Sequence, residues 1–317
     1  MAQPLRRARQ IATLGLVPLR VFHHDRYEMA LPPGHRFPQA KYRLLRERLV
    51  ALRAVEPGEL REAEPISRDE LFSAHDAAYV DAVFAGTLAP AALRALGLPW
   101  SEALVLRSRA SVGGTVAAAR HALSHGVGAN LGGGTHHAFR DRGEGYCVFN
   151  DVAVAVRLLQ AEGLARRAVV VDLDVHQGNG TAAIFAGDPD VFTFSMHGAK
   201  NFPFRKQRSS RDVELPDGAG DAEYLEALRR HLPEVLDAAR AEICFYQAGV
   251  DPLAEDQLGR LSLTHGGLRE RDKLVLEACW GRDLPVVITL GGGYAKPIEL
   301  SVDAHAGTYL VANQVCR

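Results

Sequence analysis

A chain of 317 residues, 47% apolar and 24% charged, has the makeup of an ordinary soluble globular protein, and its length sits at the upper edge of what one hydrophobic core supports. Its net charge of −1 lacks the basic excess that phosphate backbones require, so no nucleic-acid partner is expected. Cys147, Cys244, Cys279 and Cys316 form no Cys-x-x-Cys pair and no segment reaches the length of a membrane span, so the expected setting is a reducing cytoplasm.

Along the chain, Arg6, Arg7 and Arg9 precede a short apolar stretch that contains Pro18 and has no small-residue cleavage pattern. Residues 1–18 are therefore expected to be a flexible leader into a first strand near Leu19. Apolar runs near Val127, Val169, Val191, Ile243 and Val286 read as further strands. Helical patterns cover 38–54, 77–85, 101–124, 151–162, 180–186, 221–241, 265–281 and 297–312. The alternation predicts a three-layer α/β/α fold with a mostly parallel central sheet. No linker, repeat or low-complexity tract divides it, so residues 1–317 are expected to form a single domain. The segment 197–220 shows no regular pattern and carries a basic cluster, Arg205, Lys206, Arg208 and Arg211, which reads as a solvated loop.

Four strand ends carry chemistry. The run Val169-Val170-Val171 stops at Asp172-Leu173-Asp174-Val175-His176. Side chains two apart on extended backbone point the same way, so Asp174 and His176 can reach one point. The run ending at Leu131 passes through three glycines into Thr135-His136-His137, where glycine permits close approach of backbone to a ligand. Ile243 to Gly249 leads into Asp251 and Asp256, and Val286 to Leu290 leads through another glycine triplet to Tyr294. Open α/β sheets bind ligands beyond the carboxyl ends of their strands, so these groups are expected at one edge.

The segments GGGTHH, GYCVFND, DLDVHQGNG, GVDPLAEDQLG and LGGGY, in this order, resemble the zinc-dependent histone deacetylase family over nearly the whole chain. HRFPQAKY, KNFPFRKQRSSRDVELPDG and LGGGYAK look most like its class IV branch and the bacterial relatives of that branch. The resemblance implies the arginase/deacetylase-like fold and a lysine deacetylase or deacylase. Asp174, His176 and Asp256 match the metal ligands, leaving coordination positions open for water and substrate. A bound Zn²⁺ lowers the pKa of water to about 7. Two oxygens and one nitrogen form a set hard enough for Fe²⁺ as well, and the residues do not discriminate between the two ions.

His137 matches the family's general base and acid, and His136 its companion beside the metal. Asp172 matches the partner of His136. Asn179 stands at the position paired with His137, where class I members carry Asp. Tyr294 matches the tyrosine that stabilises the oxyanion. Asp172, Ser195 and Met196 match a structural K⁺ site. Gly145 and Tyr146, opposite Phe202, match the walls of the acyl-lysine tunnel, with Leu263 near its rim; Tyr146 replaces the usual Phe. The implied substrate is an Nε-acyl-lysine protein or peptide, with acetyl or longer fatty-acyl groups. Acetylpolyamine-like small amines are the alternative, and an inactive acyl-lysine binder is disfavoured because Tyr294 and the ligands are all present. The oligomeric state is left open.

Overall fold

The computed structural model describes residues 19–316, and the leader expected over 1–18 lies outside them. Eight strands form one sheet: β1 (Arg20–His23), β2 (Leu60–Glu62), β3 (Val127–Asn130), β4 (Ala168–Asp172), β5 (Val191–Gly198), β6 (Arg211–Leu215), β7 (Ile243–Gln247) and β8 (Val286–Thr289). Their spatial order is β2-β1-β3-β8-β7-β4-β5-β6, and every neighbouring pair is parallel.

Period-two alternation splits the central strands between two apolar layers. Val169 and Val171 of β4 pack with Cys244 and Tyr246 of β7 on one face, under helices Ala40–Ala51, Asp221–Ala239, His265–Trp280 and Ile298–Cys316. Ala168 and Val170 pack with Ile243 and Phe245 on the other, under helices Glu102–His125 and Asp151–Ala161. Helix starts are fixed locally: Ser101, Asn150 and Thr264 each accept an N–H from the residue three further on.

Two strands depart from the sequence-based expectation. The segment 197–220 is not structureless, because Arg211–Leu215 adds to β5 as an edge strand. Its mostly polar sequence hides it, since only Leu215 is buried. Before it, the Lys206 ammonium ties the loop together by donating to the carbonyls of Ala199, Asn201 and Pro203. The other edge strand, Leu60–Glu62, is three residues long and has no buried face to leave a periodic signal. Among the described residues no helix is long and apolar enough to cross a membrane.

Candidate active site and metal centre

The carboxyl ends of β3, β4, β7 and β8 lie side by side in the middle of the sheet, in the order β3-β8-β7-β4. The loops leaving them bring the functional side chains to one point. Asp174 and His176, just past β4, and Asp251, just past β7, present ligand atoms within 4.8 Å of one another, all buried. His176 Nδ1 lies 3.0 Å from Asp174 Oδ1 and 3.0 Å from Asp251 Oδ2. The far oxygens are held by backbone: Gly292 N–H donates to Asp174 Oδ2 at 2.7 Å, and Val175 N–H to Asp251 Oδ1 at 2.9 Å.

Asp256, matched by motif to the third ligand, is not in this group. Its Oδ1 accepts the N–H groups of Leu258 and Gly259 at 2.8 and 2.9 Å, and its Oδ2 accepts that of Tyr294 at 2.6 Å. The carboxylate gathered with Asp174 and His176 is Asp251 instead.

The donor set fits a divalent cation. Two carboxylates and one imidazole meet in a buried position, and among the described residues no lysine or arginine forms an ion pair with either acid. Burial lowers the His176 pKa, yet Asp174 and Asp251 outweigh it and raise it to about 10. A proton on this ring offsets the same negative charge that a cation would.

His136 and His137 stand beside this cluster with ring centroids 4.2 Å apart. Each has a different partner. His136 Nδ1 is 2.7 Å from Asp172 Oδ2, and His137 Nδ1 is 2.7 Å from Asn179 Oδ1. Burial lowers the His136 pKa, but Asp172 and Asp174 raise it further, to about 9. Burial holds His137 well below the ordinary imidazole value, helped by the charges of His136 and His176. One ring is thus charged at neutral pH and the other is neutral, and Nδ1–H of His137 donated to an amide oxygen leaves Nε2 free to accept a proton.

The loop carrying these rings is fixed by residues that sequence reading passed over. Asp151 is fully buried; it accepts N–H groups from Gly134 and Thr135 and hydroxyls from Thr115 and Thr135. Gln247, at the end of β7, donates to Gly134 O at 2.8 Å. His75 accepts Asn150 N–H on Nε2 and donates from Nδ1 to Phe139 O, both at 2.9 Å. The signal for Asp151 was its place in GYCVFND at a helix start; that for Gln247 was a lone amide in an apolar strand.

The histidines face a pocket through a narrow aromatic wall. His137 meets the edge of Phe202 at 4.9 Å between centroids, and Tyr146 lies 6.3 Å from Tyr294. Gly145 has φ +54°, and a Cβ there would fall 2.7 Å from His137 Cδ2, so only glycine fits. Tyr146 itself has φ +68°, a conformation costly for an aromatic residue. Outward, these residues line an open mouth of about 690 Å³ that includes Leu258 and Phe204, the latter 87% exposed. Inward, a cavity of about 70 Å³ reaches past the histidines to Met29, Phe37, Leu104 and Arg107. Leu263 is at neither end. It is fully buried in the apolar layer, bridged to Leu253, so its expected place at the rim is corrected.

Asp172 and Ser195 are register partners on β4 and β5, with Met196 beside them. Ser195 Oγ is 2.9 Å from His197 Nδ1.

A doubly covered parallel sheet with an Asp/His set able to hold a metal ion beside paired histidines is an arrangement of the arginase–deacetylase type. The chain belongs to the histone deacetylase family, whose domain matches residues 35–308. An uncharacterised protein of Picosynechococcus sp. is 45% identical over 295 residues, covering 93% of this chain and 98% of the relative. The acetoin utilization protein AcuC of Bacillus subtilis is 32% identical over 286 residues, covering 82% and 73%. The crystal structure of a histone deacetylase homolog complexed with SAHA superposes with a TM-score of 0.80 at 25% identity, covering 93% of this chain and 84% of that one.

Proposed function

We propose that this deacetylase-family hydrolase cleaves the amide of Nε-acyl-lysine in proteins or peptides and prefers short acyl groups. The observation that carries the reading is the adjacent histidine pair with unlike partners, His136 on the Asp172 carboxylate and His137 on the Asn179 amide, placed beside the cation set and a passage walled by Phe202 and Tyr146. Asp174, His176 and Asp251 would hold the cation, proposed as Zn²⁺. When bound, it supplies Lewis acidity that polarises the amide carbonyl and acidifies a water.

The chain's own groups do the rest. His137 Nε2 accepts the proton of the attacking water and later returns it to the departing lysine amine. The His136 imidazolium, held by Asp172, keeps positive charge beside the reacting centre. Burial, and then Asp251 and Asp174, raise the Tyr294 pKa well above the phenol range, so its hydroxyl stays protonated and donates to the oxyanion. Asp172, Ser195 and Met196 are proposed to hold K⁺ as a structural ion.

Acyl length follows from volume. A cavity of 150 Å³ accommodates benzene, about 25 Å³ per heavy atom. The 70 Å³ around and behind the histidines therefore has room for about three heavy atoms, which suits acetyl and is far too small for myristoyl. The broad mouth favours a peptide over small acylated amines. All four cysteines are free and buried, which supports a reducing, cytoplasmic setting. Matched acetyl- and myristoyl-lysine peptides test the reading: acetyl should be released with much the higher kcat/KM, and preferred release of myristoyl would overturn the short-acyl assignment.

A further inference from the structure

Among the described residues Lys41 is the only buried lysine, 1% exposed, and the chemistry above does not use it. It projects from helix Ala40–Ala51 and belongs to the HRFPQAKY segment. Its ammonium forms no ion pair with a described carboxylate. Instead Nζ donates to the carbonyl of Gly291, 250 residues away, at 3.2 Å. It lies 5.6 Å from the ring centroid of Tyr294 and 5.6 Å from that of Tyr42. It also lies close beside the same turn, leaving no room for a side chain there: a Cβ on Gly293 would sit 3.3 Å from Nζ and 2.9 Å from His305 Nε2. Burial lowers its pKa to about 8, and Asp251, Asp256 and Asp174 act in the opposite sense, so it carries charge at neutral pH.

A buried charge without a close counter-ion is expensive, and the segment has cheaper ways to fill that volume. The cost is intelligible if the charge acts on what surrounds it. We propose that Lys41 is a positioning residue of the deacetylase site: its ammonium pins the 291–293 turn that delivers Tyr294 and offsets part of the negative charge of the neighbouring aspartates. The proposal rests on the reading of Tyr294 as the oxyanion donor.

The two duties have consequences of opposite sign. Removing the charge leaves the aspartate cluster more negative and should tighten its hold on a divalent cation. Removing the anchor frees the turn and should slow turnover, because the Tyr294 hydroxyl is then poorly placed for the transition state. A residue that only fills space would weaken both when lost.

The test compares wild type, Lys41→Met and Lys41→Arg in the zinc-loaded full chain. It reads Zn²⁺ affinity by competition with a chelating dye, kcat and KM on an acetyl-lysine peptide, and the thermal midpoint. For Lys41→Met, kcat should fall about tenfold or more with KM changed less than about threefold, while Zn²⁺ binds several-fold tighter. Lys41→Arg should recover most of the turnover and the wild-type affinity. Should Lys41→Met not fold, Lys41→Gln, which keeps a donor for Gly291 O without the charge, carries the affinity arm. A wild-type kcat in Lys41→Met, or weaker zinc binding in the uncharged variant, would overturn the proposal. A wild type that binds zinc but turns over no acetyl-lysine would instead sink the deacylase reading, and the affinity arm would still report on Lys41.

Discussion

Asn179 accepts the Nδ1 hydrogen of His137 through an amide oxygen at 2.7 Å, while the adjacent His136 has a carboxylate, Asp172, at the same distance. An amide orients a ring without adding charge; a carboxylate orients it and stabilises its protonated form. That difference lets two neighbouring imidazoles rest in different protonation states.

Asn179→Asp should therefore raise the His137 pKa. The neutral base is lost when His137 binds a proton, so the acidic limb of the kcat/KM–pH profile should move to higher pH. An unmoved limb, with the variant folded, would separate His137 from the acid–base step.

Tyr294→Phe removes one hydroxyl and leaves the backbone N–H that Asp256 accepts. The variant should fold and bind metal as wild type does but lose roughly 10²–10³ in kcat, as expected for one oxyanion donor. Near-wild-type turnover would remove Tyr294 from the mechanism.

Asp251→Asn and Asp256→Asn distinguish the two carboxylates past β7. Loss of a group that only orients a ligand costs roughly 10–100-fold in metal affinity, and loss of a ligand costs more. The position of Asp251 beside His176 predicts the larger loss in Asp251→Asn. A larger loss in Asp256→Asn would restore the motif-based assignment and leave Asp251 as the carboxylate that orients His176.

His75 links the histidine loop to helix Asp151–Ala161, and burial lowers its pKa to about 4. An unfolded histidine titrates near 6.5. The unfolded state thus binds the extra proton between these values, so the His75 contribution to stability is complete above about pH 6.5 and is lost as pH falls toward 4. Urea midpoints should rise with pH across that window, and the slope should shrink in His75→Gln. An identical slope would show that other groups carry the acid sensitivity.

The site was largely legible because its residues follow strand ends, where apolar runs stop at Asp, His or Gly and the period of two fixes direction. That logic located Asp174, His176, His136 and His137, and the same pattern brought Tyr294 to the edge. It could not rank Asp251 against Asp256, since both follow β7 and only packing decides which turns toward His176. Spacing also says nothing of depth: Leu263, seven residues past Asp256, was expected at a rim and is enclosed by the apolar layer. The strand Arg211–Leu215 escaped because an edge strand with a polar sequence leaves no periodic trace. Nothing in the local sequence marks Lys41 as buried, because its burial beneath residue 291 depends on a contact spanning most of the chain.

Hydrolysis of an acetyl-lysine peptide by the zinc-loaded protein, with and without a chelator and with Tyr294→Phe alongside, tests the central claim most directly. Turnover that chelation abolishes, zinc restores and Tyr294→Phe largely eliminates is the predicted result. Turnover that persists in the chelator or in Tyr294→Phe, or none from the zinc-loaded wild type, would contradict it.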